Sequence, residues 1–263
     1  MKKIFLFCVA LCTLAACDEI KEDERFSDEP VTFTPLKNVL IEDFTGQNCL
    51  NCPNAAGATH ALQKLYGEEH VIAVAIHGGD MKMPLPATNP LQLATEQGDE
   101  YNTHWNIASW PAGMVDRTGV REYTTWSAEA VKRMQLTSPV EMEASLFADN
   151  AAEIKADSVT LQVTVTAEDA AEGKIQVWLV EDDITAMQRM PDGSLNANYV
   201  HQHVFRTSVN NPYGDDFSIA KGENQTLKFG CVLSPTWKRE NMGIVAFIFN
   251  DKDGVVQAVR GKL

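Results

Sequence analysis

The sequence is short of basic residues, and this shortage excludes two classes of partner. The 263 residues include 36 acidic and only 22 basic side chains, which gives a formal net charge of −14. A nucleic-acid-binding protein needs a basic surface to neutralise phosphates, and adsorption to an anionic membrane needs clustered lysine or arginine. We therefore expect no nucleic acid among the partners and no electrostatic adsorption to a membrane.

Cysteine is also scarce, and the apolar run at the start of the chain is short. Six cysteines are too few for a disulfide-dense scaffold. Ile4–Leu14 spans 11 residues, whereas a membrane-spanning helix needs about 20.

A hydrophobic content of 44% excludes general disorder. The length predicts two folded domains.

The N-terminus has the pattern of a lipoprotein signal. Two lysines precede the apolar run, which ends in Leu14-Ala15-Ala16-Cys17. A basic start, a short apolar core and small residues at its end predict a secretory signal over residues 1–16. The last four residues resemble the lipobox of bacterial lipoproteins, which implies that Cys17 is acylated and anchors the mature chain in a membrane. An ordinary signal peptide whose cleavage site includes Cys17 is the alternative.

Residues 17–35 form an acidic segment. Seven acids and two bases lie between residues 18 and 29, with few apolar side chains. Such a segment cannot form a core and predicts a solvated tether. An acidic stretch behind a lipid cysteine also resembles the export tag that sends some lipoproteins to the outer face of the outer membrane, although a plain spacer is an equal alternative. We expect a lipid-anchored protein of the outer membrane.

Residues 36–137 alternate between strand and helix patterns. The apolar runs Val39–Phe44 and Val71–Ile76 flank a helical segment, Ala55–Tyr66. This order predicts a βαβ unit with a parallel sheet. Further along, the patterns predict a helix at 91–105, a hairpin of 111–115 with 120–123, and a closing helix at 127–136.

Two cysteines lie where the first strand leads into the first helix. The spacing of Cys49 and Cys52 brings their Cα atoms into disulfide range, about 4.4–6.8 Å. The N-terminus of a helix stabilises a thiolate and lowers its pKa. We expect Cys49 to be the exposed attacking thiol and Cys52 the shielded resolving thiol.

This order of elements resembles the thioredoxin superfamily. Asp43-Phe44 matches its buried acid and phenylalanine, and Ser109-Trp110-Pro111 matches its cis-proline turn. The resemblance implies that Asp43 accepts a proton from Cys52 and that Pro111 faces the dithiol. It also implies that the backbone beside Pro111, at Trp110, pairs with a bound substrate chain.

Metal and haem interpretations of these residues are weaker. A zinc site needs four ligands, and nothing fixes the spacing of His60 and His77 relative to the cysteines. Pro53 occupies the position of the histidine in a c-type haem motif and excludes that group. The segment 77–83 contains one histidine and two methionines that suit copper, but a surface loop is preferred. We expect no metal and no cofactor.

Residues 138–263 have the pattern of an all-β domain. Seven short strands with turn signals, and no convincing helix, predict an immunoglobulin- or fibronectin-like β-sandwich. The predicted strands cover residues 140–148, 159–165, 175–179, 200–209, 225–233, 243–250 and 254–260.

Three features of this second region are candidate sites of lower weight. Cys231 alternates with apolar residues and is expected to face the core. His201 and His203 are predicted to share one face of a strand. This spacing can bind a metal, but no third ligand is evident, so an exposed polar face is preferred. Asp157-Ser158-Val159 resembles an O-glycosylation signal of some anaerobic bacteria.

The combination of segments is similar to one family. The lipobox, the acidic tether, Glu42–Gly46 before Cys49–Pro53, and a sandwich containing His201–Arg206 resemble the outer-membrane lipoprotein family named for its twenty-eight-kilodalton member. The resemblance implies an envelope or cell-surface location and an adhesin or receptor role.

Two functions follow as hypotheses. In the first, the protein exchanges disulfides with envelope or extracellular proteins through Cys49 and Cys52. In the second, it is a surface adhesin or receptor, and the thioredoxin-like domain is a scaffold with a structural disulfide. Fold alone does not decide between them.

Overall fold

A mixed α/β region is followed by a region of antiparallel strands. The computed structural model describes residues 33–82, 91–147 and 158–263. The elements are β1 (Val39–Thr45), α1 (Cys52–Tyr66), β2 (Val71–His77), α2 (Glu96–His104), β3 (Ala112–Val115), α3 (Trp126–Met134), β4 (Val140–Leu146), β5 (Ser158–Ala167), β6 (Ala171–Glu181), β7 (Ile184–Arg189), β8 (Leu195–His201), β9 (Val204–Ser208), β10 (Asp215–Ile219), β11 (Asn224–Val232), β12 (Met242–Asn250) and β13 (Gly254–Lys262). The predicted signal peptide, Cys17, residue 83 of the copper hypothesis and Asp157 of the glycosylation signal lie outside the described residues.

The first region is built on two parallel strands joined by a helix. β1 pairs in parallel with β2, starting at Val39 opposite Val71, and β3 adds to β1 in the antiparallel direction. Val39 and Ile41 pack with residues of α1 and α3, whereas Leu40 and Phe44 pack with α2 on the other face. Both faces are buried, which explains the nearly continuous apolar runs.

The second region consists of two packed antiparallel layers. β6 pairs with β12 and β10, and β12 pairs with β13. A three-stranded sheet, β11-β5-β4, covers this layer, and Leu161 and Val163 of β5 share a core with Val177 and Ile244. The residues of β5 alternate in burial along the strand, which confirms the period-two pattern of residues 159–165.

A single sheet connects the two regions. β9 pairs in parallel with β2 at Val204 and Ala75, and in the antiparallel direction with β6. The eight-stranded sheet has the order β13-β12-β6-β9-β2-β1-β3, with β10 beside β6. Residues 33–263 accordingly form one compact unit. The domain boundary at residue 138 stays a prediction, since the sheet includes strands from both sides of it.

Two details differ from the sequence-based expectations. The predicted strand 200–209 is divided, because His203 adopts a positive φ of 58° between β8 and β9. The prediction that His201 and His203 share a strand face is therefore wrong. The second arm of the predicted hairpin is shorter than expected: Arg121 makes one isolated antiparallel bridge to Gly113, and Tyr123–Thr125 forms a 3₁₀ turn.

Candidate functional site

Cys49 and Cys52 form a disulfide at the start of α1. Their Cα atoms are 5.5 Å apart, within the range that the spacing predicts. The helix begins at Cys52, and Pro53 occupies its first turn, where a missing N–H costs no helical hydrogen bond. The backbone N–H of Cys52 donates to Cys49 Sγ at 3.1 Å.

The prediction that Cys49 is the exposed thiol is wrong. Cys49 is 2% exposed and Cys52 3%, while Leu50 between them is 43% exposed. The loop therefore turns its intervening side chain outward and its sulfurs inward. Both halves of the disulfide are buried.

Strand β7 is hydrogen-bonded to the loop that contains Cys49. Gln188 Nε2 donates to the carbonyl oxygen of Cys49 at 3.0 Å, and Arg189 N donates to the carbonyl oxygen of Gln47 at 2.8 Å. Arg189 Nε donates to Asn48 Oδ1 at 2.8 Å, and Gln47 Nε2 donates to the carbonyl oxygen of Met187 at 2.9 Å. We call residues 187–189 the β7 cover. These bonds fix the cysteine loop against β7.

Asp43 lies on β1 and lines the same cavity as Cys52. The residue is 6% exposed, and among the described residues its Oδ1 atom has no hydrogen-bond partner. Burial raises the pKa of Asp43 to about 8. A carboxyl group with this pKa is mostly protonated at neutral pH, and it can both donate and accept a hydrogen bond.

Trp110 and Pro111 lie at the end of β1 from which the cysteine loop leaves. The Trp110–Pro111 bond is cis. Pro111 directly precedes Ala112, which pairs with Phe44 of β1. The indole Nε1 of Trp110 donates to Asn102 Oδ1 at 2.9 Å. Neither residue lines the cavity that contains Asp43 and Cys52. Their role in binding a substrate chain stays a prediction.

The cavity has a volume of about 270 Å³ and lies between α1 and the segment Tyr199–His203. His77 and His201 both line it, with ring centroids 5.3 Å apart. Burial lowers the pKa of His201 to about 4, and burial together with His201 and Arg206 holds the pKa of His77 well below its ordinary value. Both rings are therefore neutral at pH 7.

Sequence reasoning did not place these two histidines together. Residues 77 and 201 become neighbours because β9 pairs with β2, and no local sequence pattern predicts that strand pairing. The apolar character of β9 and the polar residues just before it, His201-Gln202-His203, are the only available signals.

The other candidate residues, His203 and Cys231, contact neighbouring side chains rather than a site. Among the described residues, no three histidine, cysteine, aspartate or glutamate side chains converge closely enough to hold a metal ion. His203 Nδ1 lies 3.1 Å from Asp182 Oδ1 and also contacts Arg260. Cys231 is half-buried against the hydrophobic core of the second region, and burial raises the pKa of its thiol.

Comparison with known proteins places the chain in a family. Residues 98–263, more than half of the chain, match the family described as outer membrane protein Omp28. The chain belongs to the Omp28 family. This confirms the family predicted from the sequence and the outer-membrane location. Among the described residues, no helix has the length and apolarity needed to cross a bilayer.

Two solved structures share the fold at low identity, and a third is similar over part of the chain. HBP35 of Porphyromonas gingivalis is 17% identical, with a TM-score of 0.64 over 88% of this chain and 77% of that chain. Protein AGR_C_4864 of Agrobacterium tumefaciens is 17% identical, with a TM-score of 0.52 over 85% of this chain and 93% of that one. A domain of the outer membrane lipoprotein Omp28 from P. gingivalis covers 48% of this chain and 88% of its own, at 18% identity and a TM-score of 0.33. No curated protein matches this chain.

Proposed function

We propose that this Omp28-family protein is a lipid-anchored receptor or adhesin of the outer membrane. Its first region is a thioredoxin-like scaffold fastened by a structural Cys49–Cys52 disulfide, and its second is an immunoglobulin-like sandwich. Its partners are envelope or extracellular proteins that bind its surface, and Cys17 carries the lipid that holds it to the membrane.

The burial of Cys49 under the β7 cover carries this proposal. Thiol–disulfide exchange requires a thiolate that a substrate sulfur can approach in line. The side chains of Gln188 and Arg189 hold the loop through hydrogen bonds to Cys49 and Asn48, and Cys49 is 2% exposed. The same contacts are those expected of a structural disulfide that holds the cysteine loop in place against β7.

A disulfide-reduction assay tests this proposal. The pre-reduced protein and its Cys49→Ser variant are compared for reduction of an insulin-like disulfide substrate. A structural disulfide predicts equal rates. A wild-type rate clearly above that of Cys49→Ser contradicts it. Circular dichroism of both samples shows whether each is folded.

The lipid anchor has its own experiment. Leu14–Cys17 supports acylation, and membership of the Omp28 family supports the destination. Cys17→Ser is expected to move the protein from the membrane fraction to the soluble fraction. The control is Cys231→Ser, which leaves the anchor intact. Digestion by protease added to intact cells supports exposure at the cell surface, whereas protection contradicts the receptor or adhesin role at that surface.

Thiol–disulfide exchange is the second candidate, and the cavity shared by Asp43 and Cys52 favours it. The thiolate of Cys49 would attack a substrate disulfide, form a mixed disulfide and release one substrate thiolate. Asp43 in its carboxylate form would take the proton of Cys52, whose thiolate would then attack Cys49 Sγ and release the second substrate thiol. The protein ends oxidised and the substrate reduced.

Trapping distinguishes the two candidates. A Cys52→Ala variant cannot resolve a mixed disulfide, so exchange predicts covalent adducts with envelope proteins in living cells. A structural disulfide predicts none above the level of a Cys49→Ala/Cys52→Ala control.

A further inference from the structure

The cavity beside α1 contains several buried polar atoms without partners. Among the described residues, Asp43 Oδ1, Thr59 Oγ1, His77 Nδ1 and His201 Nε2 have no hydrogen-bond partner. All four residues line the cavity, and each is more than nine-tenths buried. Buried polar groups in native proteins are nearly always paired, because an unpaired one loses its hydration without compensation. Four such atoms around one space point to a molecule that supplies the missing bonds.

The charge state of the cavity restricts what it can hold. Burial raises the pKa of Asp43 to about 8 and lowers that of His201 to about 4, and the pKa of His77 is also lowered. At neutral pH these three groups are mainly uncharged. A charged ligand would lose hydration here without gaining an opposite charge from them, so an uncharged ligand is favoured.

The hydrogen-bonding capacity restricts the ligand further. A neutral imidazole donates through one nitrogen and accepts through the other, so the unpaired Nδ1 of His77 and Nε2 of His201 can each take either role toward a ligand. The Thr59 hydroxyl and the protonated Asp43 carboxyl each donate and accept. Hydroxyl groups, which also do both, complement this set.

Size and wall chemistry agree with this ligand class. A volume of about 270 Å³ corresponds to about nine water molecules at about 30 Å³ each, which suits a molecule of about ten non-hydrogen atoms. Ala73, Val74 and Ala56 provide apolar wall, and Tyr199 adds an aromatic ring.

We propose that this cavity binds a small uncharged polyol of monosaccharide size through Asp43, Thr59, His77 and His201. This site goes beyond the proposed receptor role and does not depend on the redox state of the cysteines. Neither the structural disulfide nor thiol–disulfide exchange requires a bound polyol.

The first test is binding by the oxidised full-length protein, measured by calorimetry and saturation-transfer NMR. The probes are D-glucose, D-galactose and D-mannose, with the charged analogues D-gluconate and D-glucosamine. We expect at least one neutral sugar to bind with a Kd in the millimolar range or tighter, and the charged analogues to bind about tenfold more weakly or not at all. Absence of binding by all three neutral sugars would overturn the proposal, as would equal binding of the charged analogues.

Two helix variants test the location. Gly57 lines the cavity, and a Cβ added there meets no atom within 4 Å, so Gly57→Leu puts a side chain into open space at the cavity. The change also favours the helix, so loss of binding cannot be assigned to unfolding. Ala61→Leu is the matched control, because Ala61 is exposed on the same helix but does not line the cavity. We expect Gly57→Leu to abolish binding and Ala61→Leu to leave Kd within twofold.

A conservative change tests the polar contact. Thr59→Val removes the hydroxyl group and keeps the shape, and we expect Kd to rise about fivefold. Retained binding in Gly57→Leu, or an unchanged Kd in Thr59→Val, would contradict the site. Either result would leave the structural role of the disulfide untouched, because the binding assay includes no redox step.

Discussion

Two buried aspartates, Asp116 and Asp43, have very different hydrogen-bonding surroundings. Asp116 is fully buried and accepts hydrogen bonds from Lys37 Nζ at 2.7 Å, Arg133 Nε at 2.8 Å and Leu40 N at 2.8 Å. Asp43 is nearly as buried, but among the described residues its Oδ1 atom has no partner. The first carboxylate is surrounded by donors, and the second faces a cavity.

The difference between these two aspartates distinguishes a cluster that stabilises the fold from a candidate binding site. Lys37 also donates to the carbonyl oxygen of Val255, and Arg133 donates to that of Asp253, so the cluster around Asp116 ties the start of β13 to the first region. In the described part of the chain, one polar side-chain atom on each of Asp43, Thr59 and the two histidines has no hydrogen-bond partner. Paired buried charges hold the fold, whereas unpaired polar groups beside a cavity mark a candidate binding site.

The largest expected effect is the loss of the paired carboxylate. Asp116→Ala leaves two buried cations without their acceptor, and removal of one partner of a buried ion pair costs about 3–5 kcal/mol. We expect urea unfolding to show a decrease of this size in the free energy of unfolding. Asp251→Ala, at an exposed position, is the control and is expected to change it by less than about 0.5 kcal/mol. A loss no larger than that of the control would remove the distinction between the clusters.

Asp43→Asn is expected to change stability in the opposite direction. The folded-state pKa of Asp43 is raised to about 8 from an ordinary 3.8, so the unfolded state ionises first and stability falls as pH rises between these values. The amide of the variant cannot ionise, so the variant is expected to gain stability relative to the wild type as pH rises toward 8.

The pH profile is the measurement that checks this change. Urea unfolding of both proteins is followed from pH 4 to pH 9, and the difference in stability between them is expected to shrink toward acid pH. The cavity that contains Asp43 is also lined by Tyr199, His77 and His201. The two histidines add their own loss of stability as pH falls from 6.5 toward 4. A pH-independent difference between the two proteins would show that Asp43 ionises normally.

Much of the fold could be predicted from the sequence because its signals are local. The apolar runs of β1 and β2 and the Ala- and Leu-rich segment between them predict the βαβ order, and the alternation along β5 predicts its buried face. The bond between Trp110 and Pro111 is cis, as the match to a cis-proline turn implies.

The cavity and the burial of the cysteines could not be predicted from the sequence, because they depend on strand pairing between segments that are distant in the chain. β9 joins β2 at Val204 and Ala75, which brings His201 to the cavity and β7 over the cysteines. The expectation of an exposed Cys49 treats the first region as if it stood alone. The left-handed conformation of His203, which divides β8 from β9, also has no local sequence signal.

Removal of the disulfide is expected to have a moderate effect. A crosslink that closes so short a loop contributes about 2 kcal/mol by restricting the unfolded chain. We expect Cys49→Ala/Cys52→Ala to lower the free energy of unfolding by about this amount, and dithiothreitol added during unfolding to have no further effect on the variant. An unchanged stability would argue against a structural disulfide.

Loosening the β7 cover is expected to have the smallest effect on stability. Gln188→Ala removes the hydrogen bonds to the carbonyl oxygens of Cys49 and Gly46, at a cost of about 1–2 kcal/mol. Asn198→Ala, exposed on β8, is the matched control. Equal unfolding midpoints for the two variants would mean that the cover does not hold the loop.

The rate at which dithiothreitol reduces Cys49–Cys52 in the native protein tests the sealed disulfide most directly. Mass spectrometry after thiol alkylation gives the rate for the wild type, Gln188→Ala and Asn198→Ala. A sealed disulfide predicts slow reduction that accelerates with sub-denaturing urea and in Gln188→Ala, but not in Asn198→Ala. Rapid reduction that neither urea nor Gln188→Ala changes would contradict it, because the sulfurs would then be accessible in the folded protein.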